Sequence, residues 1–245
     1  MNLCIDAGNS RVKWGWHDGS QWTALASVSL IEFAAATHDI NPFAATHANP
    51  EKIIISNVAG EGAHQLLVNW TSIFEAEPHW LRGTPHACGV QNRYENPEQL
   101  GPDRWAALIA ARALHSGACL VINSGTATTI DMLTADGVFQ GGAILPGVEL
   151  MRFVLHEHTG RLPLQAGHPV QTPRNTLDAI ESGCWHAQAG AVQRVAAQMG
   201  KEVLCLFSGG AGQVLMQQLP HYKTRYVDNL VLEGLARIAQ HTNTP

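Results

Sequence analysis

Two short stretches constrain this chain more than anything else in it. Residues 120–131 read Leu-Val-Ile-Asn-Ser-Gly-Thr-Ala-Thr-Thr-Ile-Asp, and residues 3–13 read Leu-Cys-Ile-Asp-Ala-Gly-Asn-Ser-Arg-Val-Lys. Each is an apolar strand, a turn of small residues, and a second strand. Overlaid, Ile5 falls on Ile122, Asp6 on Asn123, Gly8 on Gly125 and Asn9 on Thr126. Glycine lets backbone N–H groups come close to an anion, and the hydroxyls of Thr126, Thr128 and Thr129 add donors without bulk. One such turn is weak evidence. Two, half a chain apart, imply a duplicated phosphate clamp.

Composition agrees with a folded enzyme-sized chain. Of 245 residues, 45% are hydrophobic and only 14% charged, enough for one large core or two small ones. A net charge of −5, without a run of lysines or arginines, argues against nucleic acid or an anionic membrane as main partner. The five cysteines never form a C-x-x-C pair, and several sit in apolar runs, as expected of free thiols in a reducing cytoplasm. The N-terminus reads as no signal peptide, because no basic segment precedes Asp6, and no apolar run approaches a membrane span.

Taken in order, strands are expected at 2–6, after the first turn with Val12, Trp14 and Trp16 on one face, and at Trp22–Val28. A short helix over Leu30–Thr37 precedes an irregular connection bracketed by Pro42 and Pro50. Residues 53–58 read as a buried parallel strand, followed by a helix over Glu61–Phe74 and a polar loop over 83–100. Gly101-Pro102-Asp103-Arg104 opens an alanine-rich helix with proline at its first position. There Asp103 either complements the helix dipole or does chemistry, and Arg104 is either a surface charge or a ligand contact.

Strands at 118–122 and 127–133 follow. The glycines of Gly141-Gly142 and Gly147 signal close backbone approach, to a ligand or between elements. A helix over 148–158 and a proline-rich, mobile loop over 159–175 lead to a long helix capped by Asn175-Thr176. Another apolar strand, 203–207, runs into Ser208-Gly209-Gly210 and a helix at 212–219, an arrangement suited to a nucleotide. A short strand at Tyr226-Val227 and a helix over 229–240 close the chain. His156-Glu157-His158 does not have metal-ligand spacing, and neither a P-loop nor a G-x-S-x-G elbow is present. Asp6, ending a buried strand, is either a turn former or a ligand for a divalent metal.

The order Asp6–Lys13, Gly101–Arg104, Ser124–Asp131, Gly141–Gly147 and Ser208–Gly210 resembles type III pantothenate kinase along nearly the whole chain. The resemblance implies an α/β protein of two related ribonuclease H-like domains, as in actin, Hsp70 and sugar kinases, with ATP in the cleft between them. The domains expected are 1–115, with the first phosphate loop and the catalytic aspartate, and 116–245, with the second loop and a dimer interface. It implies phosphorylation of pantothenate by ATP with Mg2+, in a cytoplasmic homodimer whose sites lie near the interface.

Carried over by motif, Asp6 holds the divalent metal, and Ala7, Gly8, Asn9, Ser10, Arg11, Val12 and Lys13 form the phosphate loop. Thr126 contacts the ATP phosphates from the second loop. Asp103 is the general base, while Arg104, with Gly101 and Pro102, holds substrate and offsets developing charge. Tyr94 packs on pantothenate, and Thr176 reaches the substrate from the partner subunit. Asn123 stands where many members carry an aspartate that binds a monovalent cation, K+ or NH4+; it offers a carbonyl oxygen without charge. Pro102 replaces a commoner alanine and Ser10 a commoner threonine. Competing readings are a kinase of another small hydroxylated substrate on the same fold and a nucleotide-binding accessory protein without turnover.

Overall fold

A computed structural model describes residues 1–35, 49–200 and 202–241. The expected connection around Pro42, and the end of the helix expected to reach Thr37, lie outside the described residues. The chain forms two compact units: residues 1–114 with 229–245, and residues 115–228.

The first unit holds β1 (Asn2–Ala7), β2 (Arg11–His17), β3 (Trp22–Ser29), β4 (Lys52–Asn57) and β5 (Pro78–Trp80) in one sheet, ordered β3-β2-β1-β4-β5. β1 pairs antiparallel with β2 and parallel with β4, and β4 pairs parallel with β5. Alternation decides the faces. Leu3, Ile5, Ala7, Val12, Trp14, Trp16, Ile53 and Ile55 turn to one side, where α1 (Leu30–Ala35) and α2 (Glu61–Thr71) add Phe33, Leu67 and Trp70. Asp6, Lys13 and Ser56 therefore turn to the opposite side, side by side in register.

The segment expected as a plain loop, 83–100, contains β6 (His86–Ala87), β7 (Val90–Asn92) and a 3₁₀ turn at Pro97–Gln99. Side-chain bonds that no hydrophobic period announces hold it: Asn92 Nδ2 donates to the Pro97 carbonyl, and Asn96 Oδ1 accepts from Glu98 N–H. α3 (Pro102–Leu114) then begins with proline at its first position, as its sequence requires.

The second unit repeats the plan. Its strands β8 (Cys119–Ser124), β9 (Ala127–Leu133), β10 (Val138–Pro146), β11 (Leu204–Ser208) and β12 (Lys223–Tyr226) run in the order β10-β9-β8-β11-β12. Again the first three are antiparallel and the last two join in parallel. α4 (Val148–His158), α5 (Thr176–Met199) and α6 (Gly212–Gln217) supply the helices, with α5 capped by Asn175 Oδ1 on Asp178 N–H at 2.9 Å. The core of this unit joins Leu120, Ile122, Ile130, Cys205 and Phe207 to Val192, Leu215 and Trp185.

One expectation is corrected here. The closing helix α7 (Leu230–His241), expected in a second domain of 116–245, belongs to the first unit instead. It lies on α3, and a Cβ on Gly234 would come 1.9 Å from the Ala106 carbonyl oxygen, so only glycine permits this approach. Buried Leu232, Leu235, Ala236 and Ala239 explain why: the amphipathic period of α7 needs a hydrophobic surface, and α3 with the sheet provides one.

Candidate active site

In the first unit the charged residues gather at one end of the sheet face that α7 also covers. Asp6 ends β1 with Lys13 opposite it on β2 and Ser56 opposite it on β4. Its Oδ1 is sealed from solvent and makes no hydrogen bond, while the neighbouring Ser56 hydroxyl draws the carboxyl downward. Burial, then the negative charge of Asp103, pushes the Asp6 carboxyl up to about 7, against the opposing pull of Lys13. A carboxylate oxygen sealed from water without a hydrogen bond costs free energy unless something compensates it. A divalent cation is a natural compensator, and Mg2+ commonly takes one or two carboxylates and fills the rest of its shell with water and phosphate oxygens. Asp6 thus fits the metal-holding role.

Asp103 lies in the first turn of α3. Burial raises its carboxyl above the ordinary range, while the Arg104 backbone N–H and guanidinium pull it down. Gly101 makes the room, since a Cβ there would sit 2.7 Å from Asp103 Oδ1. A carboxylate held up in pKa near the polar sheet face suits proton abstraction from an alcohol.

The reading of Arg104 as a surface charge is excluded, because the residue is only 6% exposed. Its Nη1 donates to the Tyr94 hydroxyl at 3.0 Å, and its guanidinium lies 5.7 Å from the Tyr94 ring centre. Tyr94 is placed in turn by Asn92, whose Oδ1 accepts from Tyr94 N–H at 3.0 Å. Asn92 escapes a sequence reading; an Asx acceptor two residues before the aromatic ring is the one signal that could have found it.

The first loop closes by Gly8 N–H donating to the Arg11 carbonyl at 2.9 Å, with Asn9 and Ser10 exposed. Ala7 and Val12 are fully buried in the core, so only their backbones can face a ligand. Arg11 is spent on β3, donating from Nε to Ser27 Oγ at 2.9 Å. Lys13 Nζ donates to Asn229 Oδ1 at 3.1 Å, a partner from the far end of the chain.

In the second unit, Gly125 N–H donates to the Ala127 carbonyl at 3.0 Å and Gly147 N–H to the Thr126 carbonyl at 2.8 Å. The glycine at 147 is required: a Cβ would lie 2.0 Å from the Gly125 oxygen. Close approach here is between elements. Of the three threonines expected to offer donors, Thr128 is corrected: its hydroxyl is buried and paired with Ser124 Oγ at 3.1 Å, whereas Thr126 stays exposed. Gly209, at φ +87°, lies against the same loop, where a Cβ would meet Ser124 O at 2.4 Å and Asn123 Oδ1 at 2.6 Å. Asn123 brings one neutral amide oxygen and by itself does not build a cation site.

Thr176 belongs to another place in this unit. It lines a cavity of about 950 Å³ between α4 and α5, walled by Met151, Val154, Ile180 and Cys184, with Arg174 and Asn175 at its polar edge. The loop 159–175 is irregular as expected and is strapped to α5, with His168 N–H on Asp178 Oδ1 at 2.8 Å and Val170 N–H on Ser182 Oγ at 3.0 Å. His156 Nδ1 contacts the Leu162 carbonyl at 2.7 Å. Sequence reasoning missed the pair Arg152–Glu181, at 2.9 Å, whose carboxylate also accepts from Trp185 Nε1.

Comparisons with known proteins bear on these arrangements. The family model for type III pantothenate kinase matches residues 2–198. A type III pantothenate kinase of Aromatoleum aromaticum is 47% identical over 242 residues, covering 98% of each chain. One of Nitrosospira multiformis is 42% identical, covering 98% of this chain and 92% of its own. Among solved structures, the ethanolamine utilization protein EutJ from Carboxydothermus hydrogenoformans superposes with a TM-score of 0.58 at 11% identity, over 98% of this chain and 89% of that one. Solved structures named as sugar kinases, at 10–16% identity and TM-scores of 0.57–0.60, also cover 98% of the chain, so the fold is of the actin, Hsp70 and sugar kinase kind. Full-length identity of this order, on a fold with matching motifs, leaves one conclusion: the chain belongs to the type III pantothenate kinase family.

Proposed function

We propose that this chain transfers the γ-phosphoryl group of ATP to the hydroxyl of pantothenate, giving 4′-phosphopantothenate, the first step of coenzyme A synthesis. The observation that carries the chemical part is the pair of half-buried acids, Asp6 and Asp103, each raised by desolvation and set beside the charges of Lys13 and Arg104. Phosphoryl transfer asks a protein for positioning and charge stabilisation more than for covalent chemistry, and this set provides both.

In this reading Asp103 takes the proton from the pantothenate hydroxyl as the new O–P bond forms. Arg104 holds the substrate and faces the charge that develops, and the Tyr94 hydroxyl that binds Arg104 fixes its direction. Asn9, Ser10 and Lys13 of the first loop, and Thr126 of the second, hold ATP phosphates. A divalent ion at Asp6 would neutralise charge on those phosphates. Thr176 reaches the pantothenate of a partner subunit in a homodimer. Support for pairing comes from α4, where Phe153, Val154 and Leu155 stay exposed at 48%, 44% and 37%. The five free cysteines are consistent with a cytoplasmic setting.

The test is ATP-dependent phosphorylation of pantothenate by the purified chain with Mg2+, with and without K+ or NH4+. Pantothenate-dependent ADP release is expected. ADP release with a different hydroxylated acceptor only, or ATP binding without release under any cation, would replace this reading by one of its competitors.

A further inference from the structure

The partner that Lys13 finds is a residue that neither the phosphate loop nor the family match includes. Asn229 lies outside the matched residues 2–198 and stands directly before α7. Its φ is +53°, a left-handed conformation that asparagine tolerates better than other side chains do. Its backbone carbonyl accepts from Glu233 N–H at 3.1 Å and so starts the helix. An asparagine in this position ordinarily turns its side-chain oxygen to a helix N–H. Here Oδ1 accepts from Lys13 Nζ instead, across 216 residues of sequence.

The support behind Asn229 is rigid. Glu233 Oε1 accepts from Trp22 Nε1 at 2.8 Å, Lys52 Nζ donates to the Ala239 carbonyl at 2.7 Å, and Gly234 presses on Ala106 of α3. Near its start α7 is therefore tied to β3 through Glu233 and to the helix that carries Asp103 through Gly234, and near its end to β4 through Ala239. The acceptor is also neutral. An amide oxygen holds the ammonium in place without setting a second carboxylate beside it, in addition to Asp6 across the strand pair.

We propose that Asn229 is a positioning residue for Lys13, holding its ammonium ready for an ATP phosphate. This rests on the reading of Lys13 as a phosphate ligand, so the experiment separates the two. Asn229→Gly keeps the left-handed backbone and deletes only the acceptor. In the full-length chain it is expected to raise the ATP KM about five- to tenfold, the scale of one ordinary net hydrogen bond, with the pantothenate KM unchanged and Tm within a few degrees. Asn229→Asp is expected to weaken ATP as well, with Tm retained, by neutralising Lys13. Combined with Lys13→Met, Asn229→Gly should add nothing further, because both act through one ammonium. An unchanged ATP KM in Asn229→Gly beside an impaired Lys13→Met, or additive losses in the double variant, overturns the role of Asn229 and leaves the kinase reading intact. An unchanged ATP KM in Lys13→Met removes the phosphate role of Lys13, and this proposal with it.

Discussion

The two strand–turn–strand loops are built on the same sheet plan and differ in length and charge. Between the last paired residues of the first, Ala7 and Val12, stand Gly8, Asn9, Ser10 and Arg11; between Ser124 and Thr128 of the second stand only Gly125, Thr126 and Ala127. The residue opposite Asp6 is thus Lys13, while the residue opposite Asn123 is Thr129. One loop sets an acid beside a base over a buried, unpartnered oxygen; the other is neutral, and its Thr128 hydroxyl turns inward to Ser124. Duplication supplied two frames, and charge made only one of them suited to acid–base and metal chemistry.

Removing the chemistry from the first unit should give the largest effect. Asp103→Asn keeps the shape and removes the base, so kcat should fall about 10²–10⁴-fold with ATP binding nearly unchanged. Steady-state kinetics alongside nucleotide binding would check this, and full activity would defeat the assignment.

Asp6→Asn makes the first loop resemble the second. Turnover should fall about 10²–10³-fold, with weaker dependence on Mg2+, if the carboxylate holds the ion. The same variant has a stability signature in metal-free, nucleotide-free protein. The native carboxyl titrates near 7 against an ordinary 3.8. Between those values the native state binds more protons than the unfolded chain, so stability falls as pH rises through that window. Asp6→Asn should abolish the fall and leave the variant on the order of 2–3 kcal/mol more stable than the parent at pH 8, read by denaturant unfolding. A parent whose stability rises over pH 4–7 in proportion to Asp6 would contradict the burial argument.

Gly147→Ala tests whether the second loop needs its packed neighbour. A methyl group there meets the Gly125 oxygen at 2.0 Å, and backbone must move. A loss of about 2–3 kcal/mol is expected, with the Tm of the second unit lowered. The smallest effect belongs to Asn123→Asp, which restores charge to the neutral loop. Activation by K+ or NH4+ should then appear at several-fold lower cation concentration, measured as ADP release against salt at constant ionic strength; no change would remove Asn123 from any cation role.

The elements whose pattern is local were readable from the chain. β1 with its turn, α3 with proline at its start, α4, and α5 with its Asn175 cap stand where their residues place them, because capping, proline geometry and apolar spacing act within a few residues. The acids at 6 and 103 could be singled out, since a carboxylate ending a buried strand or opening a helix is conspicuous. Segment 83–100 could not be read, because the bonds from Asn92 and Asn96 that order it have no period.

What the sequence by itself determined is the duplicated grammar, the helix starts and the residue types available for phosphoryl transfer, all consequences of local chemistry. Tertiary structure alone decided which of them could act. Arg104, one of fifteen lysines and arginines in the sequence, became a buried donor to Tyr94 because packing removed its water. Thr128 was withdrawn from the loop by Ser124, and α7 crossed back to the first unit to place Asn229 on Lys13. The separations run from 4 residues for Ser124–Thr128 and 10 for Tyr94–Arg104 to 216 for Lys13–Asn229, and which of these side chains lose their water is set by which apolar faces find each other, which no local pattern encodes.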